Sequence, residues 1–186
     1  MPACETTPGA APSPPPAAAL RLRPLRRDEE AAFLAAHQAM AAEGHTFGLG
    51  YLPGMPWPAY LQALADHRAG VHVPPGLVPS TFLVADAGGQ IVGRASIRHE
   101  LNESLMVEGG HIGYGVLPRH RRRGYATEIL RQGLVIARAY GADPVLVTCD
   151  DDNTGSARVI EACGGELDSV NVIPGQVTPV RRYLIR

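Results

Sequence analysis

Residues His111–Ala139 read HIGYGVLPRHRRRGYATEILRQGLVIARA, and the fold of the chain turns on this stretch. Apolar Ile112, Tyr114 and Val116 alternate with Gly113, Gly115 and Leu117, the period-two signal of a strand. Pro118 ends it, because proline brings no N–H to a ladder. Beyond Gly124, Ala126, Ile129, Leu130, Leu134 and Ala137 recur at three- and four-residue spacing, which predicts a long helix with one buried stripe. The turn between them gathers the first N–H groups of that helix and a ring of guanidinium groups at one point. Those N–H groups have no partner within the helix and sit at the positive end of its dipole, so an anion is favoured there. Gly124 lacks a Cβ and lets a bulky phosphate group approach the backbone. Arg119, Arg121, Arg122 and Arg123 offer the forked donors that suit phosphate. A solvated basic loop is the plain alternative, and the strand, proline and glycine around the turn argue for the anion site.

Outward from this unit, residues 1–18 are rich in Pro, Ala, Ser and Thr, which predicts a disordered tail, with residues 19–186 forming a single domain. Leu20 and Leu22 oppose Arg21 and Arg23 in a first strand. Asp28 can cap a helix whose apolar side uses Ala32, Phe33, Ala36 and Met40 and which Gly44 stops. Gly44–Pro58, GHTFGLGYLPGMPWP, is a long loop carrying His45, Phe47, Tyr51 and Trp57. It is expected either to recognise a substrate or to plug the core with its rings. Pro58 opens a second helix that ends by Gly70. Thr81–Ala85 and Gln90–Arg98 predict two strands joined at Gly88-Gly89. After the long helix, Pro144–Thr148 is an apolar run of the kind found as an inner parallel strand. A helix capped by Asn153 or Asp152 follows, and Leu167–Ile173 with Val180–Ile185 closes the chain as a hairpin.

A formal net charge of -1 supplies no global field to draw the molecule to nucleic acid or an anionic membrane. A single basic turn without an aromatic stacking platform argues against a nucleic-acid partner as well. No apolar run has the length of a membrane span or a signal segment, so a soluble cytoplasmic protein is expected, with no membrane partner. Cys4, Cys149 and Cys163 form an odd set without metal-ligand spacing, so neither a disulfide framework nor a metal site is expected.

Arg121, Gly124 and Ala126 satisfy the pattern Arg or Gln, two residues, Gly, one residue, Gly or Ala, between a strand and a helix. At these residues the chain resembles the GCN5-related N-acetyltransferase (GNAT) superfamily, from residue 19 to residue 186. The resemblance implies an α/β acyl-CoA N-acyltransferase fold in the order β-α-α-β-β-β-α-β-α-β-β. Its mixed central sheet has strands four and five splayed apart, with acetyl-coenzyme A as acetyl donor between them. It implies that the N–H groups from Arg122 to Ala126, Tyr125 and Gly124 included, hold the pyrophosphate amid the four arginines. Val116 and Leu117 would run beside the pantetheine arm, with the Leu117 N–H on the thioester carbonyl. The dinucleotide spacing GxGxxG is absent.

The activity so implied is acetyl transfer directly to a primary amine of a small molecule or peptide. The alternative is a non-catalytic acyl-CoA binding or sensing module on the same fold, and a homodimer through the final hairpin is open. A second family segment has Asn, a small residue three on, a Tyr four further that protonates the departing thiolate, and a closing Gly. Asn153, Ser156 and Gly164 match it, but Ile160 stands at the Tyr position. Either Ser156 or a water then supplies the proton, or the thiolate leaves unaided, its thiol having a pKa of about 8.5. Asn153 either binds coenzyme or merely caps its helix. For the proton of the amine, His111, Glu108, Tyr114 and His99 are candidates; an imidazole titrates near pH 6.5, about the working range. Cys149 is either a nucleophile or a small packed residue, and no His or Asp pairs with it by spacing.

Overall fold

The computed structural model describes residues 20–186; the tail expected over residues 1–18 lies outside the described residues. Burial follows the alternation of β2 (Ser80–Ala87) and β3 (Gln90–Arg98), which pair antiparallel at the centre of a four-stranded sheet. Phe82 and Val84 face one side, with Phe33, Met40, Trp57 and Tyr60; Leu83 and Ala85 face the other, with Ile129, Leu130 and Leu134. A strand apolar on both faces needs a helical layer on each. Helices α1 (Glu30–Ala41) and α2 (Trp57–Ala69) cover the first face, and α4 (Tyr125–Ala139) with α5 (Thr154–Ala162) the second. The sheet order is β1 (Leu20–Arg23), β2, β3, β4 (Ile112–Val116), and every pair is antiparallel.

The central sheet expected from the sequence is divided. β5 (Val145–Asp150), β7 (Val180–Ile185) and β6 (Glu166–Asn171), in that order, form a second antiparallel sheet. β5 thus has a paired edge toward β7 and an open edge toward β4, and its apolar character comes from Val145 and Val147 packing into the main core. The sheets meet at one end only. There the His111 N–H donates to the Leu146 carbonyl at 2.7 Å, and the Leu146 N–H donates to His111 Nδ1 at 2.9 Å. Gly110 permits this approach, since a Cβ there would stand 2.4 Å from the Leu146 oxygen. Past that clasp the two strands part.

One element escaped the sequence pattern. α3 (Glu103–Val107) is five residues long, too short to show a helical period, and is held by Asn102, whose Oδ1 accepts from the Leu105 N–H at 2.9 Å. Among the described residues no helix is long and apolar enough to cross a membrane.

Candidate active site

Where β4 and β5 separate, a cleft of about 900 Å³ opens. The parity of β4 decides what its edge presents. The Leu117 N–H donates to Val92 O at 2.9 Å and the Arg98 N–H to His111 O at 2.8 Å, so the odd-numbered residues of β4 serve the ladder with β3. Ile112, Tyr114 and Val116 therefore turn their N–H and C=O groups toward β5. This corrects the reading of Leu117: its N–H is engaged, and its side chain is buried among the rings over α1 and α2. A register error of one residue moves every group to the opposite edge. The free edge belongs to Tyr114 and to the N–H of Val116, whose carbonyl accepts from Arg121 Nε at 3.3 Å.

At the mouth of α4, Gly124 adopts φ 78° and ψ -3° in the left-handed region. No side chain caps the helix, and nothing lies within 4 Å of where a Gly124 Cβ would be. The first intrahelical bond runs from Glu128 N to Gly124 O, leaving the N–H groups of Tyr125, Ala126 and Thr127 without helical partners at the cleft wall. Arg122, at φ 63°, lines the same wall. Arg121 lines it too, but its Nη2 stands 2.5 Å from Glu43 Oε2 and its Nε 3.3 Å from Val116 O, so it staples the turn to the strand and to the end of α1. Arg119 and Arg123 stand outside the cleft lining. Arg119 instead donates Nε–H to His120 Nε2 at 3.0 Å.

That contact fixes the tautomer of His120. Arginine has no acceptor, so His120 Nε2 must accept and the neutral ring carries its proton on Nδ1. Nδ1 is buried without a partner in a residue that lines the cleft. Burial, then the charges of Arg119 and Arg123, hold the imidazole below its usual pKa. In the sequence His120 reads as a charge neighbour within the arginine-rich turn rather than as a catalyst.

Among the candidates for proton transfer, Glu108, Tyr114 and Ser156 line the cleft and His111 and His99 do not. His111 Nδ1 is occupied by the Leu146 N–H and the ring serves the clasp between sheets; burial, the largest influence, keeps it below the ordinary histidine value. His99 stacks on Tyr140 with centroids 3.5 Å apart and meets Thr81 Oγ1 at 2.9 Å. Glu108 is exposed, and its Oε2 accepts from Gln176 Nε2 at 2.7 Å. Asn153 Oδ1 accepts from the Ser156 N–H at 3.0 Å, so it caps α5 while lining the cleft. The Cys149 thiol is half-buried in the same wall, and burial pushes its pKa up, against the trend a nucleophilic thiolate needs.

The opposite face of β4 is bare of side chains at Gly113 and Gly115, and the guanidinium groups of Arg94 and Arg98 lie over it. In sequence Arg94, Ser96 and Arg98 alternate with Ala95 and Ile97, a pattern that ordinarily marks a solvent face, so nothing singled them out. The loop before α2 resolves mostly as a plug. Phe47 and Trp57 are buried, Tyr51 is half-buried, and all three rings surround Phe33, while His45 and Thr46 reach the cleft. The loop therefore offers the cleft fewer rings than its composition suggests.

Residues 19–166 match the family model described as Acetyltransferase (GNAT) domain. The chain belongs to this family. Among curated proteins none matches it in sequence. Solved structures of similar fold include the Salmonella typhimurium protein yncA with its cofactor acetyl-CoA, at TM-score 0.61 and 14% identity over 90% of this chain and 93% of that one. The Agrobacterium tumefaciens acetyltransferase aligns at TM-score 0.58 and 24% identity over 97% and 99% of the two chains. Mycobacterium smegmatis RimJ in complex with CoA-disulfide aligns at 0.61 and 22%, over 89% of this chain and 81% of that one. At these identities the likeness shows the fold. This GNAT domain keeps Ile160 wholly inside the core, where the Tyr of the family's second segment would stand. Two of the hydroxyl groups at the cleft, those of Tyr114 and Ser156, lie 2.8 Å apart (Oη to Oγ) between β4 and α5. Burial, the largest influence, raises the Tyr114 phenol well above the usual range, so it stays protonated.

Proposed function

We propose that this GNAT domain is an acetyl-coenzyme A dependent N-acetyltransferase acting directly on a primary amine. One observation carries the reading: a cleft runs from the open N-terminus of α4 to the unpaired edge of β4 and ends at a half-buried pair of hydroxyls. The residues fit a long polyanionic thioester. The free N–H groups of Tyr125, Ala126 and Thr127, with Arg122, would hold its pyrophosphate around the open space at Gly124. The backbone of Tyr114 and Val116 would bond the pantetheine arm as a neighbouring strand does. The His120 Nδ1–H is a further donor with no protein partner.

Bound there, the coenzyme supplies an acetyl group activated as a thioester. The N–H of Val116, in the role first expected of Leu117, polarises the carbonyl as charge develops on its oxygen. Glu108 takes a proton from the amine, directly or through water, as that nitrogen forms its bond to the carbonyl carbon. Tyr114 gives a proton to the sulfur as the C–S bond breaks, the Ser156 hydroxyl donates a hydrogen bond to the phenolate so formed, and water entering the cleft restores the phenol proton. Cys149 stays a thiol and forms no acyl intermediate, in keeping with its raised pKa. The acceptor is a small molecule or peptide amine, residues 19–186 act as one domain, and a reducing cytoplasm suits the free thiols of Cys149 and Cys163.

Titration calorimetry with acetyl-CoA, then thiol release across a panel of amines, tests this. Binding with turnover is expected. Absence of binding refutes the reading. Binding without turnover of any amine supports the acyl-CoA sensing alternative, which the loss of the usual Tyr at Ile160 favours.

A further inference from the structure

Two cavities meet at the arginines of β3. One is the 900 Å³ cleft; the other, about 160 Å³, is bounded by Thr46, Phe47, Leu49 and Phe82 and floored by Arg94, Ser96 and Arg98. Arg94 lies opposite Gly115 in the ladder and Ser96 opposite Gly113. A Cβ on Gly113 would stand 3.4 Å from Arg94 Nη1 and 3.7 Å from Arg98 Nη1, so both guanidinium groups lie across the glycine face of β4. Their protein partners are carbonyls alone: Thr46 O at 3.1 Å for Arg94, and Gly109 O at 2.8 Å with Gly110 O at 2.9 Å for Arg98. Among the described residues every ion pair of an arginine with an acid involves some other arginine. Arg94 Nε, Ser96 Oγ and Tyr60 Oη are buried there with no hydrogen-bond partner.

Two like charges half withdrawn from water at the cleft wall, beside orphaned donors, are costly, and the protein supplies no anion to offset them. Burial, followed by the charge of Arg98, draws Arg94 down to about 10, still fully charged at neutral pH. A planar carboxylate matches the fork of a guanidinium and can take a further bond from a serine hydroxyl. The guanidinium groups lie over β4, one strand spacing of about 4.8 Å from where a thioester would run, and Ser96 on β3 stands a second spacing further, so a group held there is several bonds from the reacting amine.

We infer that the acceptor carries a carboxylate close to its amine, held by Arg94, Arg98 and Ser96, and is therefore an amino acid. The inference rests on the acetyl-transfer reading above and narrows its acceptor. A polyamine would bring positive charge to an unpaired arginine couple, and the N-terminus of a peptide has an amide where the carboxylate should be.

The test is thiol release from acetyl-CoA with the common amino acids, the amide of each, the decarboxylated amine of each, and spermidine. Wild-type protein should favour an acid over its amide by at least about 10-fold in kcat/KM, and Arg94→Gln should lower that ratio by about 10- to 100-fold. Arg94→Lys should restore part of the preference. Melting midpoints and coenzyme titration establish that each variant is folded. The inference is overturned if amides or spermidine are turned over as well as the acids, if no amino acid is turned over, or if Arg94→Gln slows acid and amide equally. Failure of the wild-type protein to bind acetyl-CoA removes the parent reading and this one together, whereas binding with turnover of neutral amines removes this one alone.

Discussion

Gly124 allows the phosphate site to be tested by charge with shape held constant. Its φ of 78° excludes most side chains, but Asn and Asp enter the left-handed region more readily than other residues, and both are good N-caps. A Cβ meets nothing within 4 Å, so neither substitution clashes. Gly124→Asn and Gly124→Asp should each stay within about 1 kcal/mol of wild-type stability, a shift of roughly 2–4 °C in Tm for a chain of this size. They part company only when a polyanion arrives. One carboxylate about 5 Å from one phosphate charge, at an effective dielectric of about 40, costs about 1.7 kcal/mol. Two such charges on a pyrophosphate bring the cost to about 3 kcal/mol, or roughly 150-fold in Kd. Calorimetric titration with coenzyme A should therefore show Asn within about 3-fold of wild type and Asp weaker by about two orders of magnitude. The gap should narrow as salt rises from about 0.1 M toward 1 M and the Debye length falls from about 10 to 3 Å. If Asn and Asp bind the coenzyme equally well, the phosphate does not sit at this helix.

Three further outcomes follow from the cleft. Tyr114→Phe should lower kcat by about 10- to 100-fold, the worth of one hydrogen bond to a charged sulfur, with coenzyme Kd within about 3-fold; an unchanged kcat removes Tyr114 from the chemistry. Glu108→Gln should depress kcat most at low pH, where fewer acceptor amines are already deprotonated, and a uniform loss across pH would point to structural damage instead. His99, His111 and His120 all titrate below the ordinary value, chiefly through burial. The unfolded chain takes up these protons near pH 6.5, so the stability they contribute is complete above that pH and is lost as pH falls through their lower folded values. Tm should drop between pH 7 and pH 5. His111→Asn, whose amide oxygen can accept from the Leu146 N–H, should flatten that slope in a thermal melt series, and a slope left unchanged would clear His111 of any part in it.

Much of the fold was legible because its signals are local. The alternation of β4, the stripe of α4, and the stops at Gly70 and Pro118 each lie within a few residues, and the structure places their elements within a residue or two. The open N-terminus of α4 at Gly124 was legible for the same reason, being built from one strand–turn–helix unit. What could not be read depended on pairing across the chain. Whether Leu117 or Val116 offers its N–H to the cleft is set by the register with Val92, twenty-odd residues upstream, and no pattern within β4 reveals it. His111 read as a base because its pKa is convenient, yet its partner Leu146 lies 35 residues away in the other sheet. Arg94 and Arg98 read as a polar strand face, and only the glycines opposite make that face a chamber.

The two faces of β4 show why its alternation takes the form it does. Ile112, Tyr114 and Val116 fill the face toward α4 and α5, and Tyr114 there reaches Ser156. On the other face a side chain would take up space now left open and meet the ends of flexible side chains. A methyl at Gly115 would press Met40 Cε at 3.3 Å, and one at Gly113 would stand 3.4 Å from Arg94 Nη1. Glycine inside a strand weakens it, by loss of entropy and of packing, so two within five residues need a compensating gain. The gain is space. With no side chains at 113 and 115, the guanidinium groups of β3 lie across the strand toward its open edge, and an acceptor and a donor can meet there from opposite faces. In the proposed reaction Tyr114 would place its hydroxyl on the donor face and the empty glycine positions would open the acceptor face, so that a single five-residue strand would separate the two chemistries that acyl transfer must bring together.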